Sequence, residues 1–334
     1  MIPHNAVCGK TPQCRADHGK LDEFGPFLTE PFANRDRPWL SSAIWLDAVW
    51  IMDVRCGASR NAVHGLASIL LLIFLVAGAA AQGSDIKNIE LCNASDPTSA
   101  ELQINGCTSL IKSLENPRAL ATAYNNRGNA YTGKGDYEHA IRDYDEAIKL
   151  NPNDAKPFNN RGVAYQKMPD LDRAMADFDS AIKVDPTYAD AFANRAETYE
   201  KKGDYSNASK DFDEAIRLKP SLTVLWNERC WVRAIVGDLQ GATADCSEAI
   251  RQNPNDAEAL DSRGFTSLKS GRWPSAIADY DSALRIDPKM PTALYGRGFA
   301  KLKTGNTAGG NADIAAAKAI EQNITEKFDH YGLH

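Results

Sequence analysis

The stretch from Tyr124 to Pro152, YNNRGNAYTGKGDYEHAIRDYDEAIKLNP, decides the fold because the chain copies it. FNNRGVAYQKMPDLDRAMADFDSAIKVDP starts 34 residues later at Phe158, and FANRAETYEKKGDYSNASKDFDEAIRLKP follows at the same interval from Phe192. Each copy reads as two short amphipathic helices joined by a tight turn. A fixed period of this length marks a repeat architecture, in which each unit buries its apolar face only against its neighbours.

Counted from Ala121, successive units begin at Ala155, Ala189, Thr223, Ala257 and Pro291. Positions 4, 8 and 11 fall at i, i+4, i+7 on one face of a first helix, and positions 20, 24 and 27 do the same on a second. The first unit fills them with Tyr124, Gly128, Tyr131, Ala140, Tyr144 and Ala147. The second has Phe158, Gly162, Tyr165, Ala174, Phe178 and Ala181, and the third Phe192, Ala196, Tyr199, Ala208, Phe212 and Ala215. Small residues let the two helices approach while bulky ones fill the space between them. Gly135-Asp136, Gly203-Asp204 and Gly237-Asp238 make the inner turn. Pro152, Pro186 and Pro220 end the second helices, which proline cannot continue. The fourth unit drifts, with Cys230, Arg233 and Cys246 at positions 8, 11 and 24, and the sixth carries Lys301, Gly310 and Ile314.

These columns resemble the tetratricopeptide repeat family over residues 121–324. The resemblance implies an all-α, right-handed superhelical solenoid of about six tandem helix-turn-helix repeats. Residues 82–120 read as an N-terminal cap or degenerate repeat, with one capping helix in Asp96 to Leu114. The last helix is expected to turn a polar face to water, and residues 323–334 to form a frayed tail.

Two ladders exceed the family pattern. Position 7, usually Leu in the family, is Arg127, Arg161, Arg195, Arg229, Arg263 and Arg297. Position 23 is Asp143, Asp177, Asp211, Asp245, Asp279 and Asp313. The two positions lie at nearly opposed heights on an antiparallel helix pair, which predicts a structural Arg–Asp pair in every unit. A stripe of arginines gripping acidic ligands is the competing reading.

In the family the first helices line a concave face that takes peptide segments of partner proteins. At the corresponding positions stand Asn125, Asn126, Asn129, Asn159, Asn160, Asn194 and Asn227. An asparagine both donates and accepts, so a row of them can clamp an extended backbone irrespective of sequence. The row is similar to the asparagine ladder of protein O-GlcNAc transferases. Further on, position 9 becomes Trp231, Phe265 and Phe299, an expected apolar anchor. Chaperone-binding members use a clamp of Lys, Asn, Asn, Lys and Arg where Asn125, Asn129, Asn160, Asp190 and Asn194 stand here. The cations are missing, so binding of chaperone C-termini is not expected.

The 334 residues carry a net charge of −6 with no basic patch, which argues against nucleic acid as a partner. No phosphate loop, GxSxG elbow, HExxH or dinucleotide fingerprint is present, so neither enzyme nor cofactor is expected. No metal motif is present either, for the cysteines include no CxxC and no histidine cluster accompanies them.

Residues 1–51 differ from the rest: proline-rich, aperiodic, and a flexible leader or the product of a start assigned upstream of Met52. From Met52 the chain has a basic stretch (Arg55, Arg60), an apolar run from Leu66 to Val76, and Ala79-Ala80-Ala81. This is the layout of a signal peptide over residues 52–81, cleaved after Ala81. The apolar core is short of the roughly 20 residues a membrane-spanning helix needs. Uncleaved, it would make the protein a membrane-anchored assembly factor. Cleaved, it leaves an exported, periplasmic or envelope adaptor for a protein or peptide partner. In that oxidising compartment Cys230 and Cys246, facing each other across one unit, are candidates for a disulfide, with Cys92 and Cys107 for a second.

Overall fold

The computed structural model describes residues 86–94 and 99–333, so the leader, the signal sequence and its cleavage point lie outside the described residues. The described residues form helices and turns. A helical segment over 86–92 and α1 (Ala100–Ser113) precede six helix pairs. The pairs are α2 (Pro117–Gly133) with α3 (Tyr137–Leu150), α4 (Ala155–Lys167) with α5 (Leu171–Val184), and α6 (Ala189–Lys201) with α7 (Tyr205–Leu218). They continue with α8 (Thr223–Val236) and α9 (Leu239–Gln252), α10 (Ala257–Lys269) and α11 (Trp273–Ile286), and α12 (Pro291–Lys303) and α13 (Thr307–Ile320). A short helix, α14 (Ile324–His330), ends the described chain.

Local chemistry sets these boundaries. Gly135, Gly203 and Gly237 sit at φ +77°, +78° and +93°, a left-handed turn that costs glycine nothing. The aspartate that follows caps the second helix: the Asp136, Asp204 and Asp238 carboxylates accept from the backbone N–H groups of His139, Asn207 and Gly241. Each such cap contributes about 1 kcal/mol. The helix α2 starts a turn earlier than its counterparts, because Pro117 opens it and Asn116 caps it.

Between paired helices, position 8 meets the ring at position 24. A Cβ on Gly128 would lie 2.6 Å from the Tyr144 ring, and one on Gly162 equally close to Phe178. In the fourth unit the ring and the glycine are both gone. Cys230 and Cys246 stand in their places, fully buried and disulfide-bonded with Cα atoms 5.4 Å apart.

Successive first helices also touch one another: α2 with α4, α4 with α6, α8 with α10 and α10 with α12. They therefore line the inner curve of the superhelix. The array stops where its inter-unit column changes. Position 28 is Ile148, Ile182, Ile216, Ile250 and Leu284 in the first five units but the exposed Lys318 in the sixth.

Both ends differ from expectation. The N-terminal cap is not one helix but two, since Cys92 in the 86–92 segment is bridged to Cys107 of α1 with Cα atoms 4.6 Å apart. The C-terminal residues are not frayed. Ile324, Phe328 and Leu333 are buried, because the chain turns back after Asn323 and lays α14 on the first helices.

The Arg–Asp ladders and the concave face as candidate functional site

The arginine column is fully committed to the scaffold. Arg127 donates from Nε and Nη2 to the Asp143 carboxylate at 2.8 and 2.7 Å. The same two-pronged pair joins Arg161 to Asp177, Arg195 to Asp211, Arg229 to Asp245, Arg263 to Asp279 and Arg297 to Asp313. Planar fork-to-carboxylate geometry fixes orientation as well as charge. The guanidinium also lies over the position-4 ring of its own unit, 5.4 Å from Tyr124 and 5.1 Å from Trp226.

A third prong crosses to the preceding unit, through a residue class that the sequence reading passed over. Arg161 reaches Asp145, Arg195 reaches Asp179 at 2.7 Å, and Arg229 and Arg297 reach Asp213 and Asp281 at 2.8 Å. These aspartates hold position 25, two after the intra-unit partner, and the DxD repeated in the second helices of units one, two, three and five was the available signal. Arg127 has no preceding unit and donates instead to the Thr108 hydroxyl at 3.0 Å. Among the position-7 arginines facing a preceding unit, Arg263 is the exception, because Ser247 stands at position 25. The aromatic losses at position 11 feed the same network. Arg233 bridges Asp245 and Asp213 at 2.9 and 3.0 Å, and Lys301 reaches Asp313 at 2.8 Å. Hydrogen bonding to aspartate raises Arg161, while burial holds the Asp177 carboxyl above its ordinary value. Such a pair specifies geometry more than it adds stability.

Along the concave face the side chains change in three stages. In units one to three, Asn160 donates to the Oδ1 atoms of Asn125 and Asn129 at 3.0 Å, and Asn194 donates to Asn159 at 2.8 Å. Asn126 reaches Asn93 of the cap at 3.0 Å. The Tyr144 hydroxyl donates to Asn129 at 2.8 Å. The asparagines thus hold one another across unit boundaries, leaving Asn129 exposed and Asn126, Asn160 and Asn194 half-buried.

Further along, positions 9 and 12 of the third unit are Glu197 and Glu200, and position 6 of the fourth is Glu228. Burial, reinforced by Glu200 and Glu197, pushes the Glu228 carboxyl up to about 8. Glu200 is raised by burial and by Glu197, against a hydrogen bond from the Trp231 indole. Following the asparagine columns at positions 9 and 6 was enough to find Glu197 and Glu228, whereas Glu200 stands in neither column.

In the last stage the Trp231 and Phe265 rings lie tilted by 40° with centroids 4.7 Å apart, and α14 covers them. Phe299 sits apart, against Trp273 at 6.3 Å with the Lys303 ammonium 4.9 Å from its ring.

Four expected groove residues are corrected by burial. Asn125, Asn159 and Asn227 are 9, 5 and 6% exposed. Position 5 aims at the next first helix rather than at the open face. Phe265, 1% exposed, lies under α14. Among the described residues no group of metal-ligating side chains gathers, and no helix is long and apolar enough to cross a membrane.

Comparisons agree with this geometry. Profiles described as TPR repeat match residues 128–168 and 267–305, and tetratricopeptide repeat profiles match 155–188 and 189–222. A tetratricopeptide repeat protein from Parabacteroides merdae is similar, with 16% identity and a TM-score of 0.55 over 75% of this chain and 100% of its own. The Cut9–Hcn1 hetero-tetramer of the APC/C gives 13% identity and a TM-score of 0.56 over 73% of this chain and 50% of its own. PilF of Pseudomonas aeruginosa gives 16% and 0.54 over 62% and 95%. At these identities the likeness is one of fold. No curated protein sequence matches significantly. With its period, its packing columns and its paired helices accounted for, the chain belongs to the tetratricopeptide repeat family.

Proposed function

We propose that this scaffold for protein–protein interaction is exported and binds an extended segment of a partner along the open part of its concave face. Asn126, Asn129, Asn160 and Asn194 would take the partner's backbone, and Glu197, Glu200 and Glu228 a basic side chain beyond it. One observation carries the reading: among the columns that recur every 34 residues, the packing and ion-pair positions are spent on the fold, whereas position 6 of the first four units and part of position 9 stay accessible. A hydrogen bond is worth only about 0.5–1.5 kcal/mol net, and less where an Asn–Asn bond is given up to make it, so affinity must come from several units together. The signal-peptide layout and the two disulfides support an oxidising compartment.

The test is capture from a periplasmic fraction with the wild-type protein and with Asn160→Ala/Asn194→Ala. A partner retained by the first and lost by the second supports the groove. Equal retention by both removes it. Release by osmotic shock supports a soluble adaptor, whereas cofractionation with membrane favours a scaffold anchored through its uncleaved apolar segment.

A further inference from the structure

The last described helix, α14, packs back onto the first helices of the array. It is not a seventh unit: the column that would receive a successor ends in the exposed Lys318, and α14 instead lies across α12 and α10 towards α8. Phe328 inserts between Tyr295 and Phe265, with ring centroids 4.5 and 6.0 Å away. Tyr331 stands edge-on to Trp231 at 5.0 Å and to Phe265 at 6.0 Å. Its backbone carbonyl accepts from the Lys269 ammonium at 2.9 Å, and the same ammonium reaches the Ile235 carbonyl at 3.2 Å.

We propose that Trp231, Phe265 and Tyr295 form a site for a short amphipathic helix carrying aromatic residues three apart, and that α14 occupies it in cis until a partner segment of that chemistry displaces it.

Two observations argue for exchange rather than permanent burial. Seven residues are too few for a helix to hold itself, so α14 exists only through the side chains it docks. The docked interface is also incompletely satisfied. Thr325 Oγ1 of the helix itself and Asp261 Oδ1, whose carboxyl lies within reach of the Lys327 charge, are buried without a hydrogen-bond partner. Burial pushes the Asp261 carboxyl up to about 7, against a hydrogen bond from Thr292 and the nearby charge of Lys327 on α14. A fixed core element would leave fewer such groups unpaired. The spacing of Ile324, Phe328 and Tyr331, at i, i+4 and i+7 with Tyr331 at the helix C-cap, follows the anchor pattern by which helices enter apolar grooves.

This site is separate from the asparagine stretch, so its failure leaves the proposed groove untouched. The experiment uses the full chain with Phe328→Ala/Tyr331→Ala, which empties the site without altering it, and a synthetic peptide of residues 320–334 as probe. Peptide binding read by fluorescence polarisation should be at least tenfold tighter for this variant than for wild type, and lost again on adding Phe265→Ala. No binding to a variant of wild-type helicity overturns the proposal. So does loss of that helicity, because α14 would then be part of the core. Hydrogen exchange on the unmodified protein provides a second reading. Amides of 324–333 should exchange at least tenfold faster than those of α12, and equal protection would contradict the proposal.

Discussion

The two halves of the concave face share backbone and period but not chemistry. From α2 to α6 the groove positions are asparagines that hydrogen-bond one another and stay within reach of solvent. From α8 to α12 they become aromatic, and the chain covers Trp231, Phe265 and Tyr295 with α14 while Phe299 sits apart. A polar row can be left open because water and neighbouring amides satisfy it equally well. An apolar row of Trp231, Phe265 and Tyr295 is driven to find a cover. A single scaffold thus presents one open stretch and one stretch covered by its own C-terminus, and the glutamates lie between.

The largest difference should appear on truncating one residue in each half. Phe265→Ala empties a fully buried site and should cost about 3–5 kcal/mol in urea unfolding, releasing α14 as it does so. Asn160→Ala, which leaves Asn125 Oδ1 short of a donor, should cost about 1 kcal/mol. Comparable costs would mean that the halves are held together in the same way.

The two disulfides give the next contrast. Cys230→Ala/Cys246→Ala removes a bridge from the middle of the array and should cost about 3 kcal/mol for a loop of 16 residues. Cys92→Ala/Cys107→Ala, in the cap, should loosen only the first units, with protection of α10 amides unchanged.

Between the halves, the acidic stretch carries a pH signature. Glu228 titrates near 8 when folded and near 4.3 when unfolded, so the folded state binds more protons between those values. Stability should therefore fall as pH rises from about 4.3 to about 8. Glu228→Gln should flatten that slope and raise the melting temperature at pH 8 by a few degrees. An unchanged slope would place the titration elsewhere.

The smallest effect is a repair. Ser247→Asp would supply Arg263 with the inter-unit carboxylate that Arg161, Arg195, Arg229 and Arg297 already have. An exposed partner of this kind should add at most about 1 kcal/mol. A loss on this substitution would contradict the third prong as a favourable contact.

Much of this was legible because repetition multiplies a weak signal. Arg at position 7 and Asp at 23 recur at a constant 16-residue separation, and antiparallel helices bring that separation face to face. Asp145 and its equivalents recur in four of the six units, but their partner lies in the next unit, and which columns meet there depends on the rotation between units. The same rotation decides that Asn125 is buried while Asn126 is not. The docking of α14 had no period to announce it. Phe328 and Tyr331 occur once, and a seven-residue helix takes its structure from the surface beneath it.

The most direct measurement places a photo-crosslinking amino acid in turn at Asn129, Asn160 and Asn194 on the concave face, and at Lys149 on an exposed second-helix site. One partner polypeptide should crosslink from the three concave positions and not from Lys149. Crosslinking from Lys149 with none from the asparagines would contradict the proposed groove.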